Sequence, residues 1–411
     1  MKILVISSKF PPEYSGSGIR ALRTYKRLSA KYNIEFEVLC NSEVSDKSKN
    51  YIHEGVSVTL IASSIHNFIP YKKNRIISYV VFLAKYYSEA FKTLKFLKSN
   101  KCDIIHSFGS SVSVATAAYL SGWLKKPMVI ELCNMPITEP YPYLPILHYF
   151  IKSDFHRGKA YIAISNELKE ICNKSGYFKN VWCRPNPINK DHFYVRNLSE
   201  KNRLRGRFSP FGSSDIVLVY IAKFRLRKNH IFLLDVLNKL SIKYKLLLAG
   251  PQDSQEINSE KDGVCLRRIK EKTSYLSLNE RVHMIVGETN VSTVLGLSDV
   301  FLFPSWNEGL GTVMLESFGC GIPVIANIAE SAFRQWVKDG ENGFLCELNP
   351  DKWVEAIKKF ERINDECRNN ISNNIYSFAS SDVIDECYYK IFNNLGYLGY
   401  KKEINIEQIL N

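Results

Sequence analysis

Residues 303–325 read FPSWNEGLGTVMLESFGCGIPVI. An apolar strand pattern leads into a loop with glycines at 309 and 311, then a short helical pattern, and Gly-x-Pro opens a second apolar run. Glycines at a helix start leave backbone N–H groups accessible, and the helix dipole favours negative charge there. The stretch therefore predicts a strand, an anion-binding loop, a helix and a second strand, which form one unit of a parallel sheet.

The same alternation of short apolar runs with amphipathic stretches extends through the chain on both sides of this unit. It is typical of α/β proteins, in which helices cover both faces of a parallel sheet. Predicted strands lie at residues 2–8, 36–40, 104–106, 128–132, 161–164 and 181–184, and again at 216–222, 245–249, 282–286 and 300–303. Proline, glycine and charged residues between 185 and 214 interrupt the pattern and predict a linker.

We therefore predict an α/β fold with two doubly wound, Rossmann-like domains that face a central cleft. The N-terminal domain is predicted to cover residues 1–195 and the second domain residues 196–378. A helical tail, residues 379–411, is expected to pack back on the first domain. Ligands of open parallel sheets bind at the carboxyl ends of the strands, so the functional site is expected at the cleft.

The composition is that of a globular protein. Of 411 residues, 45% are hydrophobic and 23% are charged, with a formal net charge of +14. This excludes disordered, collagen-like and coiled-coil chains. Ten cysteines without a C-x-x-C pair are typical of buried, reduced thiols in a cytosolic protein. The N-terminal apolar stretch is too short for a signal peptide and residues 76–84 are too short for a bilayer span, so we expect a cytoplasmic protein.

A basic helix predicted after residue 84 has two interpretations. Leu83, Tyr87, Phe91 and Leu94 share one helical face, and lysines occupy the other. This pattern is typical of a helix packed on a sheet, and it also fits peripheral contact with an anionic membrane at its inner face. Basic residues elsewhere are spread along the chain and accompany no nucleic-acid-binding motif, so no nucleic-acid partner is expected.

Two glutamates flank the glycine loop: Glu308 lies within it, and Glu316 lies one helical turn beyond Thr312. Carboxylates accept hydrogen bonds from paired hydroxyls, which a sugar or a ribose offers. Taken singly, Glu308 could complement the helix dipole and Glu316 could be a solvated helix residue. Together, Glu-Gly-x-Gly, the second glutamate eight residues after the first, and Gly-x-Pro-Val-Ile resemble the E-x7-E signature of retaining glycosyltransferase family 4 (glycosyl transferases group 1), which has the GT-B fold.

The resemblance implies roles for several residues. Lys223 and Lys228 match two cations that hold the donor diphosphate, although the family usually has arginine where Lys223 stands; without the resemblance, a solvated basic turn would be the simpler interpretation. Glu308 is implied to bind the donor sugar and Glu316 the ribose. The other implied diphosphate contacts are Gly309, Leu310, Gly311 and Thr312, with Gly18 from the first domain.

The glycine loop near the N-terminus also allows a different interpretation. Residues 16–21, GSGIRA, satisfy the dinucleotide-binding pattern G-x-G-x-x-A. In that pattern the first glycine follows the strand almost directly, whereas here seven residues separate Ser8 from Gly16. This argues against a dehydrogenase. The loop instead resembles the family's glycine loop, in which Gly18 would let the donor phosphate approach closely.

The sequence offers two candidates for a catalytic group. Many family members carry a histidine in the first domain, and the matching segment here, residues 129–134, contains none. Its ionisable residue is Glu131, which could act as a base or bind the acceptor, although a carboxylate ending a buried strand is as often structural. His106 is the other candidate, and a lone histidine there is more often a core residue. Residues 134–143, rich in proline and tyrosine, suit an acceptor-stacking loop or a plain connector.

The sequence contains no Asp-x-Asp, no His-x-x-x-His and no Cys/His cluster with zinc spacing. We expect no cofactor and no metal, with the cations and the helix dipole stabilising the leaving diphosphate. The predicted function is a retaining, metal-independent glycosyltransferase that moves a hexose from a nucleotide-diphosphate sugar to a hydroxyl of a glycan or lipid-linked glycan, in cell-surface polysaccharide biosynthesis. The alternatives are a sugar-nucleotide epimerase of the same fold and a non-enzymatic module that binds a membrane surface.

Overall fold

The structure, a computed structural model, divides into two compact units. It describes residues 1–13, 15–42, 45, 47–63, 75–132, 145–146, 159–176, 179–252, 259–306, 308, 310–361, 363–398 and 404–410. The first unit is Met1–Arg184 with Ile384–Asn411, and the second is Pro185–Val383. Both boundaries differ from the predicted ones after residues 195 and 378, because Ile188 pairs with Ser380 inside the second unit.

The first unit is built on an eight-stranded sheet in the order β3-β4-β2-β1-β5-β6-β7-β8. Its strands are β1 (Lys2–Ser7), β2 (Glu35–Ser42), β3 (Lys49–His53), β4 (Val56–Ala62), β5 (Ile104–Phe108), β6 (Met128–Leu132), β7 (Ala160–Ala163) and β8 (Val181–Cys183). The helices described in this part of the chain are α1 (Gly16–Tyr32), α2 (Arg75–Ser99), α3 (Val112–Leu120) and α4 (Asn166–Lys174). All described strand pairs are parallel except β3 with β4.

Both faces of the first sheet are covered, as the central strand β1 shows. Ile3 and Val5 belong to one buried cluster, and Leu4 and Ile6 belong to another on the opposite face. Successive side chains of a strand point to opposite faces, so a strand buried on both sides is apolar throughout. This is why the run at residues 2–8 could be identified as a strand from sequence.

The second unit is built on a six-stranded parallel sheet in the order β11-β10-β9-β12-β13-β14. Its strands are β9 (Ile216–Ile221), β10 (Tyr244–Gly250), β11 (Val282–Val286), β12 (Val300–Phe303), β13 (Val324–Asn327) and β14 (Gly343–Cys346). Its helices are α5 (Leu198–Phe208), α6 (His230–Asn238), α7 (Ser259–Tyr275), α8 (Val291–Gly296), α9 (Thr312–Gly319), α10 (Ser331–Arg334), α11 (Pro350–Lys359) and α12 (Asp365–Ala379), with a short 3-10 helix at Leu226–Lys228. The prediction of two α/β units, each built on a largely parallel sheet, is confirmed.

The C-terminal residues complete the first unit rather than the second. Helix α13 (Ser381–Leu398) is followed by the short α14 (Ile406–Leu410). Tyr388, Ile391 and Phe392 of α13 are buried in the same cluster as Ile3 and Val5. The core of the first sheet therefore includes side chains from the far end of the chain.

One local prediction was wrong, and one pair of strands was not predicted. The predicted linker contains helix α5, which Asn197 caps and which Lys201 and Arg205, one turn apart, tie to Asp299 at 2.8 Å and 2.5 Å. The β3–β4 hairpin was not predicted, although Glu54 and Gly55 have the positive φ values of its tight turn. The periodicity of apolar residues is weak in both places, because α5 is held by ion pairs and β3 is a half-exposed edge strand.

The cysteine prediction holds only in part. Among the nine cysteines that the structure describes, five are buried, and Cys367 is exposed. Cys133 lies outside the described residues. Of the described helices, none combines the length and apolar content that a membrane span requires.

Candidate active site

The basic turn after β9 brings Lys228 to the glycine loop after β12. Chain direction reverses through the 3-10 helix Leu226–Lys228, and Asn229 then adopts the left-handed conformation before α6. The Nζ atom of Lys228 donates a hydrogen bond to Oε1 of Glu308. The side chains of Lys228 and Glu308 are 13% and 11% exposed. The structure therefore joins the predicted diphosphate cation to the predicted sugar-binding carboxylate.

Neighbouring groups hold the Glu308 segment in place. The Ser305 hydroxyl donates to the same Oε1 atom that accepts from Lys228. The backbone N–H of Glu308 donates to Oε2 of Glu330 at 3.0 Å, and the Asn327 amide donates to the Ser305 carbonyl at 3.3 Å. Two segments after adjacent strands thus contact each other at the carboxyl end of the sheet.

Helix α9 begins at a glycine that no other residue could easily replace. Gly311 has φ +71°, and a Cβ atom there would lie 2.8 Å from the Phe303 ring. The Thr312 hydroxyl accepts a hydrogen bond from the Asn186 amide at 2.8 Å. Leu310 is buried. Gly309 lies outside the described residues, so its predicted diphosphate contact stays a prediction.

Burial and charge set the protonation of the lysine. Burial lowers the pKa of the Lys228 ammonium, and the adjacent Glu308 carboxylate acts in the opposite direction. An ammonium paired with a carboxylate stays charged at neutral pH and can exchange that partner for a more highly charged anion. Lys223 lies just after β9, and Glu316 is half-buried in α9, so both lie on elements that flank the pair. Their roles stay predictions.

The two predicted catalytic residues meet in the first unit, inside its core. Oε1 of Glu131 accepts from Arg184 at 2.6 Å, and Oε2 accepts from the Tyr388 hydroxyl at 2.6 Å. Oε2 also lies 3.6 Å from Nε2 of His106, whose Nδ1 is 2.7 Å from the Tyr25 hydroxyl. The side chains of Glu131, His106 and Arg184 are all 0% exposed.

The charges within this buried network are balanced by the protein itself. Burial alone would raise the pKa of Glu131, but the Arg184 guanidinium, the His106 ring and the Arg20 guanidinium lower it to about 2. Burial lowers the pKa of His106, which is therefore neutral at pH 7. An ionised glutamate held by two arginines and a tyrosine is typical of a structural ion pair; the second arginine, Arg20, lies 3.3 Å from Oε1 and is 18% exposed. The geometry thus favours the structural interpretation of Glu131 and His106, and a catalytic role for either stays a prediction.

Gly18 has a packing role that the glycine pattern did not reveal. Its N–H donates to the Ser15 hydroxyl at 2.8 Å, which caps α1. A Cβ atom at Gly18 would lie 2.4 Å from the Lys9 carbonyl oxygen, whereas one at Gly16 would meet nothing within 4 Å. Gly18 therefore lies in close contact with the protein's own backbone at Lys9. Contact of Gly18 with a donor diphosphate stays a prediction.

Several residues of both sites were not found from sequence. Arg184 carried a signal, since a charged residue directly follows an apolar run, whereas Tyr388 stands 257 residues from Glu131 and carried none. Ser305 and Glu330 became visible only through their contacts with Glu308. The predicted acceptor segment, residues 134–143, lies outside the described residues. Among the residues that are described, no group of three His, Cys, Asp or Glu side chains could hold a metal ion.

Comparison with known proteins identifies the family of the second unit. Residues 206–378, which contain Lys228, Glu308 and Glu330, match the model of the glycosyl transferases group 1. The protein is a glycosyltransferase with a group 1 domain. The predicted enzyme class is thereby confirmed.

The curated relatives of this glycosyltransferase include two enzymes with named activities. UDP-Gal:alpha-D-GlcNAc-diphosphoundecaprenol alpha-1,3-galactosyltransferase from Escherichia coli is 23% identical over 403 residues, which cover 94% of this chain and 97% of the relative. N-acetyl-alpha-D-glucosaminyl L-malate synthase from Bacillus anthracis is 24% identical over 258 residues, or 60% of this chain and 63% of the relative. The match thus spans somewhat less than two thirds of the B. anthracis enzyme.

A solved structure agrees with the fold of this glycosyltransferase. Anabaena Alr3699/HepE, crystallised in complex with UDP and glucose, superposes with a TM-score of 0.67. The two chains are 15% identical, and the superposition covers 96% of this chain and 100% of the other. This likeness confirms the GT-B fold.

Proposed function

We propose that this glycosyltransferase moves a hexose from a nucleotide-diphosphate sugar to a hydroxyl of a glycan or lipid-linked glycan, in cell-surface polysaccharide biosynthesis. The observation that carries the proposal is the Lys228–Glu308 pair beside the start of α9. It places one cation for a diphosphate and one carboxylate for sugar hydroxyls within a single contact. The named E. coli relative acts on a GlcNAc-diphosphoundecaprenol, and this supports the lipid-linked acceptor.

In this proposal the donor displaces the internal ion pair. A diphosphate carries more negative charge than one carboxylate, so it competes successfully for the Lys228 ammonium. Glu308 is then free to accept hydrogen bonds from the hexose hydroxyls, while Glu316 binds the ribose. As the glycosidic bond breaks, charge develops on the leaving diphosphate, and Lys228, with Lys223 and the α9 N-terminus, stabilises it.

Retention and metal independence are part of the same proposal. The lysines supply the positive charge that a divalent cation would otherwise supply to the leaving diphosphate. Retention follows from the resemblance to family 4, in which the departing phosphate helps to deprotonate the acceptor on the same face. The anomeric proton coupling in the product, measured by NMR, would test retention, and an unchanged rate in EDTA would support metal independence.

Donor binding can be tested by thermal stabilisation, because a ligand that binds only the native state raises the melting temperature. We expect one of UDP-glucose, UDP-galactose, UDP-N-acetylglucosamine and GDP-mannose to stabilise the protein, and the Lys228→Ala and Glu316→Ala variants to lose the shift. Lys239→Ala is the matched control, since Lys239 lies in the same unit and pairs with the exposed Asp351. Absence of any shift in the wild type would contradict the proposal, and an epimerised donor formed without acceptor would favour the alternative enzyme class.

We further propose peripheral contact of the cytoplasmic protein with an anionic membrane through α2. The first turns of this helix expose Ile76, Ile77, Tyr79 and Val80, and its later turns expose lysines. Apolar side chains beside lysines suit the boundary between anionic headgroups and acyl chains. A lipid-linked acceptor would lie at that boundary.

Vesicle binding tests the membrane proposal. Ile76→Ser should weaken binding to phosphatidylglycerol-containing vesicles about tenfold, since burial of an isoleucine contributes about 1.5–3 kcal/mol. Ile242→Ser is the matched control, because Ile76 and Ile242 are 77% and 69% exposed and lie in different units. Equal loss in both variants, or equal binding to pure phosphatidylcholine, would contradict a specific contact through α2.

A further inference from the structure

Residues 327–333, which run from the end of β13 into α10, contact the end of β12 and the loop after it at three points. The Asn327 amide donates to the Ser305 carbonyl at 3.3 Å, and Glu330 accepts from the Glu308 N–H at 3.0 Å. The Phe333 and Phe303 rings pack with their centroids 4.3 Å apart. We name residues 327–333 the brace segment. It holds the backbone on which Glu308 is mounted.

Glu330 uses its carboxylate for this contact and not for the helix that it precedes. It stands at the N-cap position of α10, where a side chain commonly accepts from the helix N–H groups, and it makes no such capping bond. Its Oε2 atom accepts from the Glu308 N–H instead. The side chain therefore fixes a residue 22 positions earlier in the chain.

Glu330 makes this contact where it is shielded from water. The residue is only 8% exposed. The group of Glu308 that it binds is the backbone N–H, while the Glu308 carboxylate is held by Lys228. A shielded hydrogen bond to the loop backbone, made in place of a helix cap, is consistent with a role in shaping the site.

We propose that Glu330 is a positioning residue for donor-sugar recognition. It holds the Glu308 backbone so that the Glu308 side chain lies between Lys228 and Ser305, where it meets the hydroxyls of a hexose attached to the diphosphate. This inference rests on the proposed function. It predicts that Glu330 affects the sugar part of the donor and leaves the diphosphate part unaffected, since Lys228 and not Glu308 binds the diphosphate.

The test compares the affinity for a nucleotide sugar with the affinity for its nucleoside diphosphate. Two probe pairs are titrated calorimetrically, UDP-glucose with UDP and GDP-mannose with GDP. For the pair that binds, Glu330→Gln is expected to lower the ratio of nucleotide-sugar to diphosphate affinity about tenfold, because an amide oxygen accepts from the Glu308 N–H more weakly than a carboxylate oxygen does. Glu308→Ala should lower the same ratio at least as much.

Glu361→Gln is the matched control for a structural effect. Glu361 accepts hydrogen bonds from the Tyr244 hydroxyl at 2.7 Å and from Lys243, within the same unit. Its glutamine variant should lower the melting temperature and leave the affinity ratio unchanged. If Glu330→Gln fails to fold, Asn327→Asp tests the brace segment instead, because it loses the donor to Ser305 and keeps the oxygen that accepts from Ala329.

The outcomes separate the inference from the proposed function. An unchanged ratio in Glu330→Gln, or in Asn327→Asp where that variant replaces it, together with a lowered ratio in Glu308→Ala would overturn the inference and leave the donor site standing. An equal loss of both affinities would assign Glu330 a purely structural role and overturn it too. If neither probe pair binds the wild type, the proposed function fails and the inference falls with it.

Discussion

The Lys228–Glu308 pair and the Arg184–Glu131 pair each join a cation to a carboxylate near the carboxyl ends of parallel strands, yet they differ in burial. Lys228 and Glu308 are 13% and 11% exposed, whereas Arg184 and Glu131 are both 0% exposed. Glu131 is further enclosed by Tyr388 and His106. In the proposed function a ligand opens the first pair, and the comparison indicates that burial, more than residue type, distinguishes such a pair from one that holds the fold together.

The largest expected effect is on stability, from Arg184→Ala. It would leave the buried Glu131 without its main counter-charge, and removal of one partner of a buried ion pair costs about 3–5 kcal/mol. Urea denaturation would measure the loss in free energy of unfolding. The double variant with Glu131→Gln should recover part of it. A loss in stability below about 1 kcal/mol would show that the Arg184–Glu131 pair contributes little to the fold, and would contradict the comparison.

Lys228→Ala should reduce the transfer rate strongly and the stability only slightly, the reverse of Arg184→Ala. We expect the transfer rate to fall about 100-fold, because a preorganised group that stabilises developing charge contributes on that scale. The free energy of unfolding should change much less than in Arg184→Ala, since Glu308 keeps the Ser305 hydroxyl and some access to water. Initial-rate assays with the donor identified by thermal stabilisation provide the measurement, and Lys239→Ala should match the wild type.

Gly18→Ala distinguishes packing from phosphate binding in the first unit. The added Cβ would lie 2.4 Å from the Lys9 carbonyl, so we expect a loss of about 1–3 kcal/mol in stability. Gly16→Ala, with open space around its Cβ, serves as the control and should retain stability. A Gly18→Ala protein with wild-type stability and weaker donor binding would instead support the diphosphate role.

Lowering the pH should weaken the buried network around Glu131 and His106 and so reduce the free energy of unfolding, with a smaller effect than the substitutions above. The folded-state pKa values of His106 and Glu131 are both lowered, so their contribution to stability is complete above the ordinary values and is lost as pH falls. The free energy of unfolding should begin to fall below pH 6.5, as His106 becomes protonated, by up to about 1.4 kcal/mol per pH unit. It should continue to fall between pH 4.5 and about 2, as Glu131 becomes protonated.

Urea midpoints between pH 4 and 8 would check this dependence. His230 in the second unit has a pKa lowered by burial to about 3 and acts in the same direction, so His106→Gln and His230→Gln are measured side by side. Each variant should flatten the profile below pH 6.5. A profile that His106→Gln leaves unchanged would show that the network does not depend on a neutral histidine.

The strands of both sheets were largely predictable, because a strand buried on two faces leaves an uninterrupted apolar run. The predicted strands at 128–132, 282–286 and 300–303 coincide with β6, β11 and β12. The hairpin of β3 and β4 and the helix α5 were not found, since an edge strand and an ion-paired helix bury few side chains. Apolar periodicity detects burial, so it misses elements that other forces hold.

The glycine loop shows the same difference between residues that could be predicted from sequence and residues that could not. Glu308, Gly311 and Lys228 were found from residues 303–325 and the basic turn, because glycines, carboxylates and lysines at strand ends have a local chemical meaning. Glu330 was not found, because its contact with Glu308 depends on how two strand ends meet. The sequence pattern therefore identified the candidate site residues, and the structure shows which of them are in contact.

Short-range pattern was thus sufficient for the α/β class, the position of the glycine loop and the family resemblance, since periodicity and turn chemistry act over a few residues. Which charged groups are sealed and which stay accessible was decided by the tertiary structure alone. Glu131 is closed off by Tyr388, 257 residues away, and by Arg184, 53 residues away. Burial is a property of distant segments packed together, and it sets both the pKa of a carboxylate and its access to a ligand.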